Sequence, residues 1–360
     1  MKYKITTGIM LTLLLVGVLI LTLNIQPVEA SGTIYIRADG SVEPSTANIT
    51  SANNVTYYFT DNNYDSIFVE RDNIVVDGAG YTLHRQSSVG INLTKRSNVT
   101  IKNMEITAFP FGGRGIWICG SSKISILGNT MAKGIDGIYM RYSNNNIISG
   151  NLLTGNIDGL TILYCLNNTV NGNDITSNDM GIFLGESSNN SICGNNITNN
   201  QHGIWLGMGS NNTIIDNTIT NNDHGVQLDF QSSNNKIFHN NFIDNTQQAD
   251  IEVSGYSNFW DNGYPSGGNY WSDHVCTGNP SDGSQPYVID ENNIDRYPFQ
   301  DPNGWLLPPP KPVGGKATPI NMPMNKPETS TLWLWLTTIV LSLAVTVVYV
   351  KKRKSSCVSK

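Results

Sequence analysis

The chain has 360 residues, of which 39% are hydrophobic and 14% are charged, and its formal net charge is −6. Without residues 1–30 and 351–360 it keeps 22 − 7 = 15 basic and 28 − 1 = 27 acidic residues, a net charge of −12. So acidic a body excludes nucleic acid as a partner, and it disfavours a strongly anionic ligand unless a cation bridges the two.

Residues 1–30 have the features of a secretory signal. Lys2 and Lys4 form a basic start, an apolar stretch runs to Leu23, and small residues surround the exit at Ala30. We predict cleavage before Ser31, with an uncleaved anchor as the alternative. Residues 31–89 are then the N-terminal cap and the first coils of the body.

A repeat of 22 residues occupies 90–250. Glycines recur at positions 115, 137, 159, 181, 203 and 225, and each is followed by an apolar, variable, apolar triplet. Two further apolar columns follow in each unit, at 126, 148, 170, 192 and 214 and at 131, 153, 175, 197 and 219. Three short strands per unit, with no run long enough for a helix, predict an all-β fold, a single-stranded right-handed parallel β-helix.

Asparagine columns mark the corners of the coil. One column is Asn129, Asn151, Asn173, Asn195 and Asn217, and a second is Asn146, Asn168, Asn190 and Asn212. Rungs of a β-helix are about 4.8 Å apart, so stacked side chains form amide ladders. Asparagine also tolerates the left-handed backbone of a sharp corner. We assign these ladders a structural role.

The C-terminal third changes composition three times. Residues 251–305 are a C-terminal cap, and the proline-rich segment 306–331 is a stalk. Residues 332–350 are uncharged and, as a helix, would span about 28 Å, enough to cross a bilayer. The basic tail 351–360 places that end in the cytoplasm. We therefore predict a single-pass membrane protein whose body is extracellular or periplasmic.

An exported chain can carry N-linked glycans and disulfide bonds. Asn-x-Ser/Thr sequons predict a glycoprotein, at Asn48, Asn54, Asn92, Asn98, Asn167, Asn189, Asn196 and Asn211. Of five cysteines, only Cys276 is placed where a disulfide partner is plausible, and no Cys-x-x-Cys motif occurs.

The coil pattern Gly-Ile-x-Leu, Asn-Asn-x-Ile, Gly-Asn-x-Ile resembles the NosD-type parallel β-helix proteins. That family is described as periplasmic copper-binding and is related to carbohydrate-binding and sugar-hydrolysis repeats. Residues 34–41 and 69–81 look like the opening coils of its archaeal, membrane-anchored versions, and 260–273 and 286–298 look like their closing motif. Similar proteins often carry an Asp-rich, calcium-loop-like insert, but 277–285 has one carboxylate here, which disfavours calcium.

Three sets of residues are candidate sites. The variable positions between the paired apolar residues should point to solvent, and four of them are aromatic: Trp117, Tyr139, Phe183 and Trp205. They predict a platform for sugar rings, with stacking between rungs as the structural alternative. Met180, His202 and His224 precede three successive glycines and could share a copper ion, as the resemblance implies.

Asp136 and Asp158 precede two earlier glycines of the same column. Carboxylates on adjacent rungs suit the spacing of a retaining glycosidase, and Asp before Gly is also an ordinary turn. We expect a non-enzymatic surface protein that binds an envelope or extracellular polysaccharide through its aromatic strand face. A copper-binding accessory protein and a polysaccharide hydrolase or lyase are the alternatives.

Overall fold

The computed structural model describes residues 32–84, 88–107, 113–229, 231–252 and 256–306. The predicted signal, most of the stalk, the predicted membrane helix and the basic tail lie outside these ranges. No helix within them is long and apolar enough to cross a membrane.

The opening part of the body contains ten short strands. They are β1 (Thr33–Ile36), β2 (Val42–Glu43), β3 (Ile49–Thr50), β4 (Thr56–Phe59), β5 (Ser66–Val69), β6 (Ile74–Asp77), β7 (Thr82–His84), β8 (Val89–Asn92), β9 (Val99–Lys102) and β10 (Glu105–Thr107). Antiparallel pairs β1–β2 and β3–β4 form the opening end, and the other ladders in this part are parallel.

The repeats follow as regular triplets of one longer and two shorter strands. They are β11 (Arg114–Cys119), β12 (Ser125–Leu127), β13 (Thr130–Ala132), β14 (Asp136–Arg141), β15 (Ile147–Ser149), β16 (Leu152–Thr154), β17 (Asp158–Leu163), β18 (Thr169–Asn171), β19 (Asp174–Thr176), β20 (Met180–Gly185), β21 (Ser191–Cys193), β22 (Asn196–Thr198), β23 (His202–Gly207), β24 (Thr213–Ile215), β25 (Thr218–Thr220) and β26 (His224–Leu228).

The closing part contains β27 (Lys236–Phe238), β28 (Asn241–Ile243), β29 (Gln247–Ile251), β30 (Tyr270–Trp271), β31 (Tyr287–Val288), β32 (Ile294–Asp295) and a short 3-10 helix, Gly304–Leu306. Successive strands join three long sheets in turn. Sheet 1 has 11 strands and includes β11, β14, β17, β20, β23 and β26; sheet 2 has 10 strands and sheet 3 has 9. The predicted right-handed parallel β-helix is confirmed.

The interior is a set of apolar columns, one inward residue above another. The residues flanking each outward central position, such as Ile182 and Leu184, are fully buried, as are the columns of Ile192 and Ile197. Each such side chain contributes about 1.5–3 kcal/mol of hydrophobic stabilisation. At the closing end Trp271 stacks on Phe242 with ring centroids 4.3 Å apart and covers the last rung.

The asparagine columns are confirmed as ladders, and a third ladder was missed: Asn156, Asn178, Asn200, Asn222 and Asn245. Most ladder side chains donate to a buried main-chain carbonyl and to the amide oxygen of the next rung, as Asn173 does to Ile148 and Asn195. The expectation about backbone conformation was wrong by one residue. The left-handed residues stand immediately before the ladder asparagines, as Asn167 (φ 57°) does before Asn168.

Four cysteines of the described residues, Cys119, Cys165, Cys193 and Cys276, are free, so no disulfide forms among them. Burial raises the pKa of the Cys276 thiol to about 11. Among the sequons, the side chains at Asn54, Asn98, Asn167, Asn189, Asn196 and Asn211 are exposed. Glycosylation stays a prediction.

Candidate functional site

The predicted site residues share one surface, the outer face of sheet 1. One column consists of Asp136, Asp158, Met180, His202 and His224, each paired with the next across a parallel ladder. The central column beside it consists of Trp117, Tyr139, Thr161, Phe183, Trp205 and Gln227. We call the two columns, together with Arg114, the outer strip. The five intervals from β11 to β26 make it about 24 Å long.

The aromatic residues of the outer strip are less exposed than predicted. They point away from the interior, but Tyr139 is only 9% exposed, and Trp117, Phe183 and Trp205 are half-buried. Trp117 and Tyr139 stack with centroids 4.7 Å apart, and Phe183 and Trp205 pack at 5.4 Å. The four rings point outward but are not freely exposed, because neighbouring rings cover one another along the solenoid axis.

Arg114 adds a cation to the start of the strip. Its guanidinium lies 4.9 Å from the ring centroid of Trp117 and 4.5 Å from that of Tyr139. Its Nε also donates to Asp136 Oδ2 at 2.6 Å. Arg114 therefore holds the aromatic pair and the first carboxylate in one cluster.

Asp136 and Asp158 are brought together as predicted, and they share one hydroxyl. Thr161 Oγ1 lies 2.6 Å from Asp136 Oδ1 and 3.1 Å from Asp158 Oδ2. A hydroxyl has a single proton to donate, so both contacts are hydrogen bonds only when one carboxyl is protonated. Thr161 bonds more strongly to Asp136, at the shorter distance, and Asp136 is also paired with Arg114. The two carboxyls and the hydroxyl therefore form one coupled cluster.

The ionisation of the two carboxyls agrees with this arrangement. Burial raises the pKa of Asp136, opposed by the Thr161 hydrogen bond and by Arg114. Burial, with the negative charge of Asp136 as the second cause, raises the pKa of Asp158 to about 6. Asp158 thus titrates close to neutral pH, where a surface aspartate is fully ionised.

Accessibility limits what this pair can do chemically. Asp136 is only 2% exposed, and its two oxygens are taken by Arg114 and Thr161. A retaining glycosidase needs one carboxylate free to attack the sugar and the other to supply a proton. Asp136 is thus enclosed by its neighbours, whereas Asp158 is only partly buried.

The three predicted copper ligands are in register, and the two imidazoles among them are stacked. The His202 and His224 rings stack with centroids 4.9 Å apart and planes inclined by 12°. Imidazole lone pairs lie in the ring plane, so two parallel rings direct them side by side and not toward one ion. The described residues contain no group of three or more His, Cys, Asp or Glu side chains arranged for a metal. Copper binding stays a prediction.

His202 is held in a partly apolar setting. Its ring stacks on Trp205 at 5.3 Å as well as on His224. Burial lowers the pKa of His202, and the neighbouring His224 acts in the same direction. His224 Nδ1 lies 3.5 Å from Asp250 Oδ2, which is too long for a strong hydrogen bond.

Unpaired polar atoms concentrate on this face. Among the described residues, eight buried side-chain atoms lack a hydrogen-bond partner, and six of them belong to strands of sheet 1. The six are Arg141 Nε, Asp158 Oδ1, His202 Nδ1, Trp205 Nε1, His224 Nδ1 and Gln227 Oε1. Buried polar atoms are normally paired, and each exception calls for an explanation.

Two exposed tyrosines beside the outer strip were missed by the sequence analysis. Tyr142 and Tyr164 are 52% and 38% exposed, and they stack with centroids 5.0 Å apart. The Arg141 guanidinium lies 4.7 Å from the Tyr142 ring. Both tyrosines occupy left-handed corners. Their 22-residue spacing is a signal in the sequence, but it falls at the corners and not at the alternating strand positions.

The fold and this face together define a repeat protein of the parallel β-helix class with a polar and aromatic outer strip on its longest strands. The chain belongs to the family described as periplasmic copper-binding protein (NosD), whose family model matches residues 67–276. No curated protein matches the chain significantly.

Solved structures with similar folds are distant from this chain. A DFA-IIIase from Arthrobacter chlorophenolicus is 15% identical with a TM-score of 0.39, covering 49% of this chain and 48% of that one. The Dettilon tailspike protein is 17% identical with a TM-score of 0.40, covering 58% and 59%. The periplasmic alginate epimerase AlgG is 15% identical with a TM-score of 0.33, covering 59% and 69%. The match thus spans about half the length of the DFA-IIIase.

Proposed function

We propose that this protein is an exported, membrane-anchored β-helix that binds a polysaccharide along the outer strip. The body lies outside the cell membrane, and residues 332–350 anchor it. Its role in this proposal is binding, because the buried carboxylate pair lacks a second group that can reach a sugar.

The observation that carries the proposal is a row of partly accessible polar side chains along the outer strip: Arg114, Asp158, His202 and His224. A ligand that follows this row must offer donors and acceptors repeatedly along about 24 Å. Sugar hydroxyls both donate and accept, and a polysaccharide repeats them at every unit.

The aromatic residues supply the second half of the interaction. The half-buried edges of Trp117, Phe183 and Trp205 line the strip, and the more exposed Tyr142 and Tyr164 lie at its border. Aromatic surface that stays accessible next to polar groups is typical of binding sites. The net charge of −12 of the exported part favours a glycan without a high negative charge.

Retention of the full-length protein on immobilised polysaccharides tests the proposal. We expect the double variant Trp117→Ala, Trp205→Ala to lose at least about tenfold in affinity, since each aromatic contact contributes about 1 kcal/mol or more. Tyr58→Ala is the matched control, because Tyr58 is an exposed aromatic on a strand of sheet 2. Circular dichroism reports whether the fold is intact. Equal retention of both variants and the native protein would refute polysaccharide binding at this strip.

Copper handling is the second candidate, favoured by the family and by the register of Met180, His202 and His224. Binding requires the two imidazoles to leave their stack, so we expect copper to change the fluorescence of Trp205, which stacks on His202. Titration of copper into the native protein and into His202→Ala, His224→Ala measures this. About one copper per chain, lost in the variant, supports the copper function, and no copper in either protein eliminates it.

A further inference from the structure

A concave surface lies at the closing cap and shares no residue with the outer strip. It is a cavity of about 320 Å³. Its lining residues are Lys236, Phe238, Phe259, Asp261, Asn262, Gly263 and Arg296. Lys236 pairs with Phe259 across a parallel bridge, so the segment around Phe259 continues sheet 2 by one rung. This volume is at the lower end of the range for small-molecule sites.

The walls of the cavity are aromatic. Phe238 and Phe259 point outward because their neighbours Ile237 and Trp260 occupy the interior. Phe259 is 51% exposed, although a phenylalanine in a sheet is usually covered. Two outward rings beside a cavity offer an apolar surface for a flat or ring-shaped ligand.

The cavity is cationic on a body that is otherwise acidic. Arg296 forms a bidentate pair with Asp261, at 2.8 Å from Nε to Oδ2 and 2.7 Å from Nη2 to Oδ1. That pair neutralises Asp261, the carboxylate that lines the cavity, and its side chain is only 1% exposed. No ion pair of the described residues involves Lys236. Lys236 is therefore an uncompensated charge at the cavity.

We propose that this cavity binds an acidic sugar, whose ring packs on Phe259 and whose carboxylate pairs with Lys236. Because Arg296 compensates Asp261, the charge of Lys236 remains as the net positive charge of the lining. The site uses no residue of the outer strip. Its test can therefore fail or succeed whether or not the outer strip binds a polysaccharide.

The experiment is a ligand-observed NMR titration of the full-length protein with galacturonic acid, galactose and inorganic sulfate. Galactose lacks only the carboxylate, and sulfate lacks the ring. We expect galacturonic acid to bind at least about tenfold more tightly than either, which corresponds to one charge-assisted hydrogen bond and one ring contact. We expect Lys236→Gln and Phe259→Ala each to weaken galacturonic acid by about tenfold.

Controls separate this cavity from other sites. Lys123→Gln removes an exposed lysine far along the solenoid and should leave binding unchanged. Trp117→Ala, Trp205→Ala should also leave it unchanged, because those residues belong to the outer strip. Arg296 is not substituted, since its loss would leave the buried Asp261 unpaired and destabilise the cap.

Three results would overturn the inference. Equal affinity for galactose and galacturonic acid would exclude a role for the carboxylate. Full binding by folded Lys236→Gln would place the ligand elsewhere. If sulfate binds as tightly as galacturonic acid, and Phe259→Ala binds galacturonic acid as well as the native protein does, the cavity is a simple anion site.

Discussion

At the scale of single residues, the most informative group is the hydroxyl of Thr161. It contacts both carboxyls of the outer strip, and both contacts are hydrogen bonds when one carboxyl is protonated. Burial, with the negative charge of Asp136 as the second cause, raises the pKa of Asp158 to about 6. The charge of this surface therefore changes near that pH.

The raised pKa of Asp158 predicts how stability depends on pH. The folded protein holds this proton up to about pH 6, whereas the unfolded chain releases it near pH 4, so stability falls as pH rises between these values. Asp158→Asn removes the ionisation. Between about pH 4 and pH 7 we expect the free energy of unfolding of this variant to decrease less than that of the native protein. The two decreases should differ by about 1–2 kcal/mol after solvent screening.

Urea unfolding at both pH values measures the difference. Asp216→Asn is the control, because Asp216 is an exposed corner residue and asparagine also accepts its left-handed backbone (φ 57°). The interpretation is wrong when Asp158→Asn shows the same pH dependence as the native protein.

At the scale of elements, the coil depends on its three asparagine ladders as much as on its apolar columns. Asn195 shows why. Its side-chain oxygen accepts from the main-chain and side-chain nitrogens of Asn173, and its Nδ2 donates to Val170 O and to Asn217 Oδ1. Each ladder residue therefore satisfies main-chain groups at a corner, where strand pairing is interrupted.

Two adjacent asparagines allow a matched test of the ladder. Asn195→Ala leaves the buried main-chain nitrogen of Asn173 and the carbonyl of Val170 without their ladder partner, and we expect it to cost about 2–4 kcal/mol of unfolding free energy. Asn196→Ala alters an exposed residue of β22 with one long contact to Asp174, at 3.3 Å, and should cost less than about 1 kcal/mol. Chemical denaturation compares the two. Similar losses would mean that the ladder contributes no specific stability.

At the scale of the whole body, the solenoid needs closed ends, because an open rung exposes unpaired main-chain groups. The closing cap ends each ladder with a further acceptor. Asn269 donates to Asp295, Asn258 to Asn293, and Asn245 to Gln248. Trp260 and Trp271 are buried beneath these contacts, whereas Tyr264 is 66% exposed and contacts Tyr297 with ring centroids 6.0 Å apart.

Much of this architecture was determined by the sequence alone. A strict 22-residue period determines which residues stack, because every rung must return to the same place, so the inward columns and the register of the candidate residues follow directly. Membership of the family follows from the same repeats. The third ladder follows from the same period, since Asn156, Asn178, Asn200 and Asn222 are 22 residues apart.

What only the tertiary structure decided is how outward side chains interact once stacked. Period and alternation say that Trp117 and Tyr139 leave the interior, but not that they cover each other and Arg114. Likewise, adjacency of Asp136 and Asp158 does not reveal that Thr161 links them or that Asp136 is out of reach. The backbone repeat sets where each side chain begins, whereas its exposure, partners and charge depend on packing between rungs, which no single repeat encodes.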